Sequence, residues 1–346
     1  MAVQQLTYKI CLKKQIVGNH KKKKKWYEIR RKINKQLRIA TKIAKVVIRP
    51  ELKNKQITTK HTKKLGRLHS DIANQTIRRY KNNKKCKRIT NVNLIVPAKS
   101  TNKYPNVVFD KKNNMLNIKP LRIKLRWRPP VQYTKINQVE VNNKYAFVCV
   151  SVDCLSTKSY KNVIGVDLNI RHNMAAVGNP LTRKVNYLGK GHIYERIRYK
   201  KIRERFQKQN RQSKLREFKN KEQRYTNDWN HKLASDILKL AIQSKSNISM
   251  ENLLDIRKTK CFNKKFRYFL NSWPFYTLRS FVEYKSKLNG ISAVFVDPKY
   301  TSQLCSSCNT INKCKSKKYF CGSCKLAIHR DENASYNIAN RGYQSL

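Results

Sequence analysis

Apolar positions change period along the chain, and each change marks a different kind of element. In 4–12, Leu6, Tyr8, Ile10 and Leu12 alternate with polar residues, which predicts a half-buried strand. From Lys21 to Val47 the apolar positions Trp26, Ile29, Ile33, Leu37, Ala40, Ala44 and Val47 recur every three or four residues. That is a helix stripe, and Pro50 stops it. A second stripe, Leu65, Leu68, Ile72, Ile77 and Tyr80, predicts another helix, and both carry dense Lys and Arg on their outer faces. From about 88 to 160 the period falls to two. Leu121, Ile123, Leu125 and Trp127 form one face of a predicted strand, and Arg122, Lys124, Arg126 and Arg128 form the other. Strands at Ile136–Val141 and Tyr145–Val152 follow, joined by an Asn-Asn-Lys turn. The pattern predicts a first domain over 1–160, a small β-barrel with a helical insertion at about 19–85.

Beyond 160 strands and helices alternate. Strands are predicted at 163–168, about 174–178 and 184–188, then long helices at about 192–222 and 229–244. A strand at 246–251, a helix at about 275–288 and a strand at 292–297 complete the run. This succession is that of an RNase H-like mixed sheet, placed in a second domain over 161–346.

Three acids interrupt this pattern. Asp167 lies within the apolar strand Val163-Ile-Gly-Val-Asp-Leu168, and Glu251 lies between Ile248-Ser-Met250 and Leu253-Leu254. Asp331 opens the helical stretch Asp331-Glu-Asn-Ala-Ser-Tyr-Asn-Ile-Ala339. A buried carboxylate is costly unless paired or bound to metal. Three that converge make an oxygen-ligand site for a hard divalent cation such as Mg²⁺. Taken singly, Asp331 reads equally as a helix N-cap and Glu251 as the partner of a nearby cation.

Charge narrows the class of partner. The 346 residues carry 79 Lys+Arg against 19 Asp+Glu, a formal charge of +60, with 39% hydrophobic residues. That apolar share supports a packed core rather than disorder, and a polyanion is needed to offset the self-repulsion. No stretch approaches the ~18 apolar residues of a spanning helix. The start, MAVQQLTYKICLKKQ, lacks the apolar region of a signal peptide. Nucleic acid, not a membrane, is the expected partner, and the expected setting is intracellular. Abundant Lys, Asn and Ile fit an AT-rich genome, so part of the charge reflects codon usage. Lys21–Lys25 reads either as a nuclear localisation signal or as a phosphate-facing helix end. The basic strand Arg122–Arg128 suits a phosphate backbone, although an ordinary solvated strand has the same alternation.

Of ten cysteines, Cys11, Cys86, Cys149, Cys154 and Cys261 are scattered. The others crowd into 305–324, where Cys305-Ser-Ser-Cys308 and Cys321-Gly-Ser-Cys324 form two CxxC knuckles separated by twelve residues. Four thiolates at this spacing suit a tetrahedral structural Zn²⁺. Cys314 is read as a bystander and His329 as a neighbour of the acid site, not a ligand.

Taken in order, these segments resemble the TnpB family, RNA-guided nucleases of insertion sequences whose relatives are Fanzor and the compact type V CRISPR effectors. Gly165-Val-Asp-Leu168 resembles the first RuvC motif and Met250-Glu-Asn-Leu253 the second. Trp229-Asn-His-Lys-Leu-Ala-Ser235 is similar to the helix before the second motif. Val296-Asp-Pro-Lys-Tyr-Thr-Ser-Gln-Leu-Cys-Ser-Ser-Cys308 is similar to the family's entry into its zinc ribbon. His329-Arg-Asp-Glu-Asn-Ala334, with Asn337-Ile-Ala339, resembles the third motif. The resemblance covers about 160–342; the first half is similar only in its general plan to the family's wedge and recognition regions. Asn169, Asn309 and Lys325 stand where the family usually has Gly, and the chain is short for the family.

The resemblance implies an oligonucleotide-binding-like barrel with a helical insertion, followed by an RNase H-like (RuvC) nuclease domain. A zinc ribbon at about 301–328 is inserted before the third acid. It implies a guide RNA from the element's end that pairs with target double-stranded DNA. Asp167, Glu251 and Asp331 would hold two Mg²⁺ ions ~3.5–4 Å apart and leave 5′-phosphate ends. Cys305, Cys308, Cys321 and Cys324 would hold structural Zn²⁺. Candidate nucleic-acid contacts are Arg122, Lys124, Arg126, Arg128, His231, Lys232, Thr301, Ser302, Gln303 and Arg330. A monomer is expected, with a dimer as the alternative. The expected compartment is the cytoplasm of a bacterium, or the nucleus if the host is eukaryotic or viral. Rival readings are a transposase with RNase H-like chemistry and no guide, a guided DNA-binding protein that does not cut, and a zinc-ribbon RNA-binding protein. All three acids are present, which argues against a dead nuclease.

Overall fold

A computed structural model of the chain describes residues 2–12, 20–49, 56–83, 86, 88–100, 104–169, 174–253, 268, 275–314 and 316–346, and of 20–25 and 219 the backbone alone. The chain divides into two compact units, 2–153 and 154–346.

In the first unit, β1 (Val3–Cys11) pairs antiparallel with a later strand along its whole length, because Ile10 and its alternating neighbours face a core. Helix α1 (His20–Val47), the short α2 (Thr59–Thr62) and α3 (Ser70–Lys81) come next. Then follow β2 (Leu94–Pro97), β3 (Val107–Asp110), β4 (Met115–Ile118), β5 (Ile123–Arg126), β6 (Lys135–Val141) and β7 (Tyr145–Asp153). Among the described residues they form two antiparallel sheets, ordered β1-β7-β6-β2 and β3-β4-β5. One core serves both: Val139, Val148 and Val150 from the first, Leu116, Ile118, Ile123, Leu125 and Trp127 from the second. Ile33, Ala40 and Ala44 of α1 and Ile72 of α3 join it. No hydrogen-bonded ladder closes the two sheets into one ring among the described residues.

Two local differences from the sequence reading have backbone causes. Gly66 takes φ +133°, which separates a 3₁₀ turn at Lys63–Leu65 from α3, so Leu65 does not share the helix of Ile72. Arg122 takes φ +54° after the turn Lys119–Leu121, and the predicted strand therefore starts at Ile123. The alternation itself holds. Leu121, Ile123, Leu125 and Trp127 are buried, while Arg122, Lys124, Arg126 and Arg128 are exposed. The backbone of Lys21–Lys25 lies in α1, and their side chains are outside the described residues.

The second unit is built on a mixed sheet of β8 (Asn162–Leu168), β9 (Ala175–Asn179), β10 (Lys184–Leu188), β11 (Ser246–Glu251) and β12 (Ala293–Val296). Its order is β10-β9-β8-β11-β12. β8, β11 and β12 run parallel, and β9 and β10 run antiparallel to their neighbours. Helices α4 (His192–Lys208) and α5 (Gln212–Gln243) cross between β10 and β11, and α6 (Phe275–Leu288) precedes β12. The chain breaks between α4 and α5 at Asn210, where φ is +49°, and α5 runs unbroken through Trp229. Asparagine tolerates that conformation, and the predicted break near 223–228 is absent.

The ribbon strands β13 (Lys318–Phe320) and β14 (Ala327–His329) pair and lead into α7 (Arg330–Gln344). One sheet face buries Ile164, Val166, Ile248 and Met250 against Leu233, Ile237 and Ala241 of α5 and Leu278 and Val282 of α6. The other face takes α7. Gly165 permits that approach, since a Cβ there would stand 1.9 Å from the Ser335 carbonyl oxygen. The Ser249 hydroxyl donates to the Ile338 carbonyl at 2.7 Å.

Candidate active site and metal centre

Strand alternation puts the first two acids on the α7 side. The paired residues Val166 and Met250 face the apolar core, so Asp167 and Glu251, one position on, face the other way. Parallel pairing brings both to neighbouring C-terminal strand ends. The third acid arrives from the ribbon. His329 caps α7 by accepting from the Asp331 backbone N–H at 3.2 Å, so Asp331 is not the N-cap but stands in the first helical turn. The helix dipole favours a carboxylate there.

All three acids are largely withdrawn from water. Burial raises Asp167, and the charges of Glu251 and Asp331 add to this, to about 8. Lys317 and an amide hydrogen bond from Asn169 at 3.0 Å oppose the rise. Burial also raises Glu251, against a hydrogen bond from the Thr301 hydroxyl and the charge of Arg341. Asp331 is held by the Lys317 ammonium, 2.7 Å from each carboxylate oxygen. The three acids lie on the elements expected for them, and Asp167 feels the charges of both Glu251 and Asp331; among the described residues the four cysteines alone form a group close enough to hold a metal ion.

The four cysteines of the two knuckles also converge. Their sulfurs lie within 4.8 Å of one another, with Cys305–Cys324 and Cys308–Cys321 at 3.5 Å. The knuckles repeat one backbone pattern. The N–H of Asn309 bonds the Cys305 carbonyl, as Lys325 bonds that of Cys321. Cys305 and Cys321 in turn donate to the carbonyls of Thr310 and Leu326. Asn309 and Lys325 hold φ of +60° and +61°, which is the conformation that makes Gly common at such turns. Asn169 does not adopt it and uses its amide on Asp167 instead. Backbone donors, first that of Cys324, pull the Cys321 thiol down, while that of Cys324, against a backbone bond from Leu326, is pushed up by burial and the neighbouring sulfurs, as expected of thiols crowded together. Four thiols this close fit a tetrahedral zinc, with no open position. Cys314 stays apart and donates to the Ser316 carbonyl at 3.1 Å.

The other candidates scatter. Thr301, a candidate nucleic-acid contact, is 1% exposed and its hydroxyl donates to Glu251. His231 stacks on Phe281 with ring centroids 3.6 Å apart, joining α5 to α6. Lys232 pairs with Asp228 at 2.8 Å on the exposed side of α5. The Gln303 carbonyl accepts from Tyr319 inside the ribbon, Ser302 is half-buried, and Arg330 lies 3.9 Å from Asp331. Arg122, Lys124, Arg126 and Arg128 belong to the first unit. The sequence reading places Asn333 and Asn337 in the third motif but gives them no role; they lie one turn apart on α7. Their amides bind the Leu304 carbonyl at 2.6 and 2.7 Å and lock the ribbon's entry to the acid-bearing helix. Polar residues at i and i+4 on an otherwise buried helix face were the available signal.

Comparison with known proteins gives matches over parts of the chain. A family model described as Cas12f1-like, TNB domain, matches residues 275–338. The TnpB-like protein MJ0751 of Methanocaldococcus jannaschii is 29% identical over 199 residues, 53% of this chain and 70% of that protein. The CRISPR-associated endodeoxyribonuclease Cas12f2 of a Micrarchaeota archaeon is 30% identical over 225 residues, 61% of this chain and 40% of that protein. The cryo-EM structure of a Cas12f1–sgRNA–target DNA complex aligns over 98% of this chain and 100% of that one, at 16% identity and a TM-score of 0.44. That last likeness is too weak to carry the assignment. The chain is thus similar over part of its length to a TnpB-like protein and to compact CRISPR-associated endodeoxyribonucleases, and its 275–338 segment matches the TNB-domain family.

Proposed function

We propose that the chain is an RNA-guided DNA endonuclease that cuts at Asp167, Glu251 and Asp331 on an RNase H-like, RuvC-type sheet. The observation that carries this reading is the burial of Asp167 beside the charges of Glu251 and Asp331 in a chain of net charge +60. A self-repelling acid cluster is unfavourable by itself, and hard divalent cations such as Mg²⁺ fit its all-oxygen donor set. The relatives' names, TnpB-like protein and CRISPR-associated endodeoxyribonuclease, support the same activity.

When bound, such cations supply the charge that activates water and stabilises the leaving 3′ oxygen. The protein's part is positioning. Asn169 fixes one oxygen of Asp167, Thr301 fixes one of Glu251, and the capped helix start presents Asp331. The ribbon, closed by Cys305, Cys308, Cys321 and Cys324 around zinc, holds α7 in place through Asn333 and Asn337. The first unit supplies wedge and recognition surfaces for guide RNA and target DNA, with Lys124, Arg126 and Arg128 on its exposed basic face.

The test is to express the gene with its native flanking DNA and sequence the RNA that purifies with the protein. One discrete flank-derived RNA, ending outside the element, is expected. A smear of host RNA with no enrichment of the flank would leave a basic nucleic-acid binder and favour the transposase reading.

A further inference from the structure

Among the described residues Lys317 bonds both oxygens of Asp331 directly, yet it belongs to neither the sheet nor α7. It sits at the start of the ribbon hairpin, where the Lys318–His329 pairing and the Arg330 N–H to Lys317 carbonyl bond at 2.7 Å fix its backbone beside the helix start. From there its ammonium makes three contacts: 2.7 Å to each oxygen of Asp331 and 3.2 Å to the Asn169 side-chain carbonyl. An ammonium has three donors, so all are used. Asn169 in turn donates to Asp167, which links the lysine to two of the three acids. The Lys317 side chain is 44% exposed and that of Asp331 10%, so the lysine enters from the solvent side. His329 and Arg330, at 3.9 Å from Asp331, are farther off and make no comparable bridge.

We propose that Lys317 is a resident counter-ion of the acid site, which must leave Asp331 before a divalent cation can bind there and so weakens metal binding. This rests on the acid-site reading above. The ribbon is then more than a brace for α7: the residue just before its strand β13 carries a positive charge that competes with metal for the same oxygens. Because both cations seek one carboxylate, the lysine's charge is set directly against the metal's, and its removal should raise metal affinity by about tenfold.

The test measures Mn²⁺ binding to the full-length protein by loss of the free-ion EPR signal at pH 8.5, with zinc content measured to show that the ribbon is intact. Lys317→Met should bind Mn²⁺ about tenfold tighter than wild type, and the gain should vanish when Asp331→Asn is added. Lys317→Gln, polar but uncharged, should behave like Lys317→Met. If both variants bind no tighter than wild type while Asp331→Asn alone weakens binding, the acids hold metal and the counter-ion proposal is wrong. If wild type, Lys317→Met and Asp331→Asn all fail to bind, the acid-site reading falls and takes this proposal with it.

Discussion

Burial and the charges of Glu251 and Asp331 raise Asp167 to about 8, so the metal-free protein retains a proton there at neutral pH. An unfolded aspartate titrates near 3.9. Between about pH 4 and pH 8 the folded state therefore binds more protons than the unfolded state, and stability falls as pH rises. Asp167→Asn removes this dependence. Without metal it should raise Tm at neutral pH by a few degrees and flatten the stability profile over that window. Thermal melts from pH 4 to 8 check it; a variant with the wild-type slope contradicts it. The three acids were legible because only 19 Asp+Glu occur in the chain and two of them interrupt apolar strands. Lys317 was not, because one lysine among 79 Lys+Arg carries no signal until the hairpin register places it. The bond of Thr301 to Glu251 was hidden for a related reason: its motif was visible, but the burial that turns it toward Glu251 was not.

The packing of α7 on β8 joins the sheet to the site. A methyl group on Gly165 would overlap the Ser335 carbonyl and come within 2.5 Å of the Ala339 nitrogen, both backbone atoms of α7. Gly165→Ala should therefore cost about 2–3 kcal/mol of stability, as overpacked cores do, and also impair cleavage by shifting Asp331. Urea unfolding and a cleavage assay test the pair, and loss of neither rejects the close approach. In the ribbon, Cys305→Ser should lose zinc and open 301–328 to protease while β8–β12 stay folded, as metal analysis and limited proteolysis would show. A stable variant with full zinc would reject the four-thiolate site. Long periodic elements were legible at this scale, among them α1, β8, β11 and α6. The missed boundaries lie where the backbone takes positive φ, at Gly66, Arg122 and Asn210. Hydrophobic period does not report that conformation.

At the scale of the whole molecule, a charge of +60 on 346 residues disfavours the compact state through self-repulsion, which a bound polyanion such as the proposed guide RNA would offset. Guide-RNA binding should weaken steeply with salt, by roughly 10³-fold or more between 50 and 200 mM, the loss expected when many phosphates are neutralised. Filter binding at graded KCl measures it, and a shallow slope would contradict backbone recognition. Among the described residues no helix is long and apolar enough to cross a membrane. The mixed sheet and the ribbon were readable from element order and cysteine spacing. Closure of the first unit into a barrel was not, because period-two strands look alike whether they join one ring or the two sheets seen here. The most direct test of the account is cleavage of a plasmid matching the copurified RNA, in Mg²⁺, by wild type and Asp167→Ala side by side. Guide-dependent cutting by wild type is predicted, with none by the variant although it still binds RNA and DNA. Near-wild-type cutting by Asp167→Ala, or cutting that ignores the guide, would contradict it.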